Sequence, residues 1–183
     1  MFIQTEQTPN PASLKFLPGK TVLPGGARDF SSATAAQASP LATRIFAVEG
    51  VAGVYLGADF VTVSKADGQD WSVIKPQVLA AIMEHFTSGD AVLKAGDAHE
   101  GGAVEGDSEV VRQIKEILET RVRPAVAQDG GDIMFNDFKD GVVYLNMRGS
   151  CAGCPSSTAT LKQGIETMMR HYIPEVQSVQ AVQ

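Results

Sequence analysis

The sequence predicts an α+β protein built from two small α/β domains. Three observations carry this. The chain has 183 residues, 44% hydrophobic and 20% charged, which is enough apolar material for two modest cores and not the composition of a disordered chain. A composition break falls near Gly96 to Asp107. On each side of it, strand-length and helix-length apolar patterns alternate.

The break reads GDAHEGGAVEGD, with four glycines, four acids and almost nothing to bury. Such a stretch is expected to be flexible and solvated. The expected layout is an N-terminal domain over residues 1–95, a flexible Gly/acidic linker over 96–106, and a C-terminal domain over 107–183.

In the first domain, Ser13 to Phe16 predicts a short strand before the Pro18–Gly19 turn. Ser39 and Pro40 stand where an N-cap and first helical residue belong, with Leu41, Ile45 and Phe46 following at helical spacing. Val51 to Leu56 and Phe60 to Val63 predict a hairpin bent around Gly57 to Asp59. Ser72 to Phe86 predicts a helix burying Val78, Leu79, Ile82, Met83 and Phe86. Trp71 reads as a core residue. His85, near a helix end, carries no functional signal.

In the second domain, Ser108 can cap a helix running to about Arg123, with Val110, Val111, Ile114, Ile117, Leu118 and Val122 on one stripe and Pro124 near its end or at a kink. Asp129-Gly130-Gly131-Asp132 is a turn signal. Ile133 to Phe138 and Val142 to Met147 predict two strands joined at Asp140–Gly141. A helix is expected from Pro155 to Tyr172, burying Leu161, Ile165, Met168, Met169 and Tyr172, and then a strand over Val176 to Val182.

The net charge is −6. Residues 1–106 carry seven basic and eleven acidic groups, and residues 107–183 carry eight and ten. Neither half attracts a polyanion, so nucleic acid and anionic membrane are not expected partners. No apolar run approaches the roughly 20 residues of a membrane span. The opening MFIQTEQTPNP shows neither a secretory signal nor an Arg-rich leader. The expected compartment is therefore the bacterial cytoplasm, or the mitochondrial matrix for a mature form.

The chemistry concentrates in Gly149 to Ser157. Cys151 and Cys154 are the only two cysteines, and they form one C-x-x-C between a predicted strand and a predicted helix. With Pro155 in the first helical turn, both lie beside a helix N-terminus, whose free N–H groups and dipole favour thiolate, the form that binds metal. Three chemistries use such a pair. A dithiol–disulfide oxidoreductase needs only these two thiols, but that motif normally follows the first strand of a βαβ layout. A structural zinc site needs four ligands, and His85, His99 and His171 show no spacing that completes one; a zinc-bridged dimer could. An iron–sulfur cluster takes four thiolates, and two chains about a two-fold axis supply them. From the residues alone, the shared cluster and the zinc dimer stand nearly level. Both cysteines are expected in a loop outside the core, so replacing either should leave the fold nearly intact.

At these residues the chain resembles the NifU-like (Nfu-type) family. The matching string is Arg123-Pro124, Asp129-Gly130-Gly131-Asp132, Gly149, Cys151-Ala152-Gly153-Cys154-Pro155-Ser156-Ser157-Thr158, Thr160-Leu161-Lys162 and Gly164-Ile165-Glu166. The first half is similar to the family's separate N-terminal domain, through Thr8-Pro9-Asn10-Pro11 and Leu14-Lys15-Phe16-Leu17-Pro18-Gly19. The resemblance implies a non-enzymatic scaffold or carrier of iron–sulfur biogenesis. It implies a [4Fe–4S] cluster, with [2Fe–2S] also open, held between two subunits by Cys151 and Cys154. Its implied partners are a second copy of the chain when cluster is bound, upstream cluster-assembly proteins, and apo iron–sulfur clients. The Asp129 to Asp132 turn matches the family without an assigned chemical role. Longer NifU proteins add cysteine-bearing domains that this sequence lacks.

Overall fold

The computed structural model describes residues 1–24, 26–95, 107–152 and 155–182, apart from the side chains of 155–158. The expected linker over 96–106, with His99, lies outside the described residues, and so does Cys154. The chain divides into two compact units, Met1–Glu100 and Gly101–Gln183.

The N-terminal unit is a five-stranded antiparallel sheet with two helices. Its strands are β1 (Gln4–Gln7), β2 (Ser13–Leu17), β3 (Arg28–Phe30), β4 (Val51–Leu56) and β5 (Val61–Lys65), in the order β1-β2-β5-β4-β3. Leu14 and Phe16, Val54 and Leu56, and Val61 and Val63 alternate into one core with helices α1 (Pro40–Phe46) and α2 (Trp71–Ser88). The Ser39 hydroxyl accepts from the Ala42 N–H at 3.1 Å, with Pro40 first in α1, as the cap signal predicts. The hairpin stands where expected. The sequence did not reveal β1 and β3, which are edge strands of four and three residues. Gln4–Gln7 is polar throughout, so no alternation marks it.

The buried face of α2 differs from expectation. Ile74, Val78, Ala81, Ile82 and His85 are buried, while Met83 is exposed and Leu79 and Phe86 are only half-buried. The helix begins one residue earlier than predicted, capped by Asp70, and its buried side carries residues 74, 78, 81, 82 and 85. Trp71 is half-buried against the core and donates its indole N–H to the Pro11 carbonyl at 3.1 Å.

His85 has a consequence for stability. It is fully buried, and among the described residues neither ring nitrogen finds a hydrogen-bond partner. Burial first, and then the Arg44 guanidinium of α1, hold its pKa below the ordinary histidine value, while Asp90 acts weakly the other way. Arg44 is itself engaged by Glu84 and Asp90 at 2.9 and 2.6 Å. The unfolded chain takes up a proton near pH ~6.5 that the folded unit resists. Stability supplied by neutral His85 is therefore complete above that pH and is lost as pH falls through the lower folded value. The fluorescence of Trp71, the chain's single tryptophan, should report a urea midpoint for this unit that drops between pH 7 and 5. His85→Leu should flatten that slope; an unchanged slope would assign the acid sensitivity elsewhere.

The C-terminal unit begins with α3 (Glu109–Ile117), capped by Ser108 through the Val111 N–H at 3.3 Å. A π-helical turn at Leu118–Val122 follows, and then α4 (Arg123–Gln128). Helical structure thus passes beyond the predicted end near Arg123. Pro124 has no N–H to continue the α-pattern, and the Arg123 N–H reaches back to the Leu118 carbonyl instead. The stripe continues to Val126, joining buried Ile114, Leu118 and Val122; Val110 and Ile117 are half-buried.

Strands β6 (Gly131–Lys139) and β7 (Val142–Gly149) form the predicted hairpin. Asp140 at φ 53° and Gly141 at φ 77° supply the left-handed pair that a two-residue turn requires. Helix α5 (Pro155–Tyr172) spans the predicted range and returns the chain to β8 (Ser178–Val182), which pairs parallel to β7. The sheet order is β6-β7-β8, so the strand leading into the cysteine loop is central. Ile165 and Met169 of α5 enter the core with Ile173, and Leu161 and Met168 pack beside them. Tyr172 does not join them: it is exposed, with the Arg121 guanidinium 4.9 Å from its ring centre. His171 is an exposed residue at the same helix end, edge-on to Tyr172. No helix among the described residues is long and apolar enough to cross a membrane.

Candidate metal centre

Cys151 sits where β7 ends and the chain turns toward α5. The turn is tight: the Cys151 N–H donates to the Arg148 carbonyl at 3.3 Å and the Ala152 N–H to the Gly149 carbonyl at 3.1 Å. Gly149 has φ 62°, a left-handed conformation that side chains disfavour. Cys154, the second predicted ligand, lies outside the described residues, and α5 starts at Pro155 immediately after it.

The Asp129 to Asp132 turn is the neighbour of this loop. Helix α4 ends with the Asp129 and Gly130 N–H groups donating to the Val126 and Ala127 carbonyls, and Gly130 takes φ 76° to release the chain. The turn therefore does end a helix, as its sequence suggests. It also does more. Gly131 pairs with Gly149 across the β6–β7 ladder, and the Ser150 hydroxyl donates to the Asp129 carbonyl at 2.6 Å while the Ser150 N–H donates to the Gly130 carbonyl at 3.2 Å. A Cβ placed on Gly131 would overlap the Cys151 sulfur. The missing side chain is the space the sulfur occupies.

Cys151 is consequently buried, 7% exposed, and belongs to the apolar cluster of Ile114, Leu118, Ile133 and Met147. The sequence places it in a loop, correctly, but outside the core, which is not so. The loop folds back over the open end of the hairpin and buries the thiol against glycine.

Behind Gly131 stands an ion pair. Arg123 donates Nε–H to Asp132 Oδ1 at 2.8 Å and Nη2–H to Oδ2 at 3.1 Å, while its Nη1–H reaches Glu119 at 2.5 Å. The Asp132 side chain is 4% exposed and also accepts from the Ile133 N–H at 2.9 Å. Burial opposes the charge on Arg123, but the hydrogen bonds and charges of Asp132, and then of Glu119, outweigh it and hold the guanidinium above the ordinary arginine range. Sequence reasoning gave no role to Arg123, Gly131, Asp132 or Ser150. Arg123 and the turn are in the family-like string, but their pairing depends on a π-turn and a strand register that no local pattern announces.

The donor chemistry fits a soft metal or cluster. Cys151 offers sulfur, and the absent side chain at Gly131 leaves it room. Among the described residues no group of three or more His, Cys, Asp or Glu side chains is arranged to hold a metal ion.

Two family models match the chain, "Scaffold protein Nfu/NifU N terminal" over residues 3–89 and "NifU-like domain" over residues 114–180. Curated relatives called "NFU1 iron-sulfur cluster scaffold homolog, mitochondrial" are 54% identical in Drosophila sechellia and 55% in Drosophila erecta, each over 184 aligned positions covering the whole of this chain. The chain spans 65% of the length of these relatives. Among solved structures, a NifU-like protein from Saccharomyces cerevisiae matches with a TM-score of 0.47 and 27% identity, covering 52% of this chain and 86% of that one. The chain belongs to the NifU-like (Nfu-type) family, with an Nfu-type domain followed by a NifU-like domain.

Proposed function

We propose that this protein is an iron–sulfur cluster scaffold and carrier, and not an enzyme. It holds a [4Fe–4S] cluster between two copies of the chain on Cys151 and Cys154 of each, and passes it to apo clients. Upstream assembly proteins supply the cluster, which is cargo and not a resident cofactor. The observation that carries the reading is the C-x-x-C at the β7–α5 junction of a NifU-like domain, with Cys151 given room by Gly131. The names of the relatives support the scaffold role. Those names also say mitochondrial, which favours the mitochondrial alternative over the bacterial cytoplasm. Four thiolates hold [2Fe–2S] as readily, so cluster type is read from the iron content of each dimer and not from the iron-to-sulfide ratio, which is one for both.

A cluster shared by two short loops leaves when the interface opens, which suits transfer better than a cluster enclosed in one fold. In domain terms, residues 107–183 carry the cluster site, residues 96–106 link it, and residues 1–95 form the separate Nfu-type domain.

Anaerobic reconstitution tests the proposal. Iron and acid-labile sulfide should appear in equal amounts on a dimer, and the fragment 107–183 should give the same ratio. Zinc without sulfide would establish the bridged structural dimer instead. A metal-free monomer cycling between dithiol and disulfide would establish the oxidoreductase.

A further inference from the structure

We infer that Gly131 and the Arg123–Asp132 pair form a seat that positions the sulfur of Cys151, with Arg123 and Asp132 as positioning residues that act through Gly131. The juxtaposition is specific. Asp132 is held by both arms of Arg123, at 2.8 and 3.1 Å, and by the next backbone N–H at 2.9 Å. Its neighbour Gly131 is thereby fixed in place as the surface on which the Cys151 sulfur rests. Ser150, one residue before the sulfur, is bound twice to the same turn. The start of β6 is thus joined to helix α4 by the two Arg123–Asp132 bonds, and the turn between them is joined to the cysteine loop by the two Ser150 bonds.

A bidentate guanidinium fixes both direction and distance, which a lysine cannot do. The pair is also an uncommon choice if stability alone is at stake, because burying Asp132 costs solvation that well-packed apolar groups would not. What the pair adds is geometry. The seat fixes the surface against which the Cys151 sulfur packs. This deepens the carrier reading and rests on Cys151 being a ligand, but the seat can be read without iron.

The test uses the full chain in a Cys154→Ser background, so that Cys151 is the only thiol. Its alkylation by iodoacetamide at pH 8 is timed in buffer and in urea, together with the unfolding free energy of each variant. The seated thiol should react at least tenfold more slowly in buffer than in the unfolded chain. Gly131→Ala, which displaces the sulfur, should raise the buffer rate about tenfold or more. Arg123→Gln should raise it beyond the product of the unfolded-chain rate and the unfolded fraction, which is what destabilisation alone would give. Arg123→Lys, keeping charge without the fork, should fall between parent and glutamine. A parent that reacts as fast folded as unfolded overturns the seat. So does an Arg123→Gln rate that merely follows the unfolded fraction. If Arg123→Gln does not fold, Gly131→Ala decides, and a rate within twofold of the parent overturns the proposal. None of these outcomes touches the iron and sulfide result, so a failed seat and a failed carrier are distinguishable.

Discussion

Cys151→Ala should abolish cluster loading and should also weaken the C-terminal unit measurably. In the proposed dimer the substitution removes two of four thiolates, and a cluster left with two ligands and open iron sites is not retained. Iron and sulfide per chain after anaerobic reconstitution should fall to background. The second effect follows from burial. Cys151 is 7% exposed and packs in the apolar cluster over Gly131, so removing its sulfur leaves a small void. That costs about 1–2 kcal/mol, at the low end for large-to-small core changes. A thiol in an exposed loop would cost almost nothing, so the urea midpoint separates the two placements. Cys154→Ala should lose the cluster equally. Either variant keeping the parent's iron and sulfide would remove that cysteine from the ligand set.

The elements that declared themselves in the sequence are those whose local chemistry agrees with their tertiary role. Ser39-Pro40 caps a helix whatever packs on it, and Asp140-Gly141 turns a hairpin because only such residues tolerate two left-handed conformations in succession. Helix α5 was legible from Pro155 to Tyr172 because apolar residues recur along it at helical spacing. Tyr172 shows the limit of that signal. A tyrosine at the right spacing at a helix end can equally lie on the surface under a cation, as it does beneath Arg121.

What the sequence hid is set by long-range pairing. Strands β1 and β3 exist because β2 and β4 offer edges to pair with, not because QTEQ or RDF favours extension. His85 looked like a helix-end residue, yet it lies on the same side of α2 as Ala81 and Ile82, which packing against the N-terminal core buries. The candidate site divides in the same way. The two thiols are proposed from residue type and spacing, and of the pair only Cys151 lies among the described residues. The space for Cys151 was not legible in the sequence, because it is defined by the side chain Gly131 lacks, 20 positions away in the chain and beside Cys151 only through the Gly131–Gly149 register.

That dependence makes strand β7 the place where a purely apolar change should have the largest effect on the site. β7 is central, with β6 antiparallel on one side and β8 parallel on the other, and Val143 and Leu145 are fully buried along it. Leu145→Ala removes core volume four residues before Gly149 and leaves the cysteines and the turn residues themselves unchanged. The expected cost is about 2–5 kcal/mol, a large part of the roughly 5–15 kcal/mol that holds a domain folded. Urea titration by far-UV circular dichroism should show the C-terminal transition moving to markedly lower urea, with Trp71 fluorescence reporting the N-terminal unit separately. Cluster loading should fall only as far as that unit is unfolded under the loading conditions, and stabilising co-solvents should restore it, since both thiols remain. Cys151→Ala cannot be restored in this way. A Leu145→Ala variant that kept its midpoint would show that β7 does not organise this core, and the register that brings Gly131 to Cys151 would then need another origin.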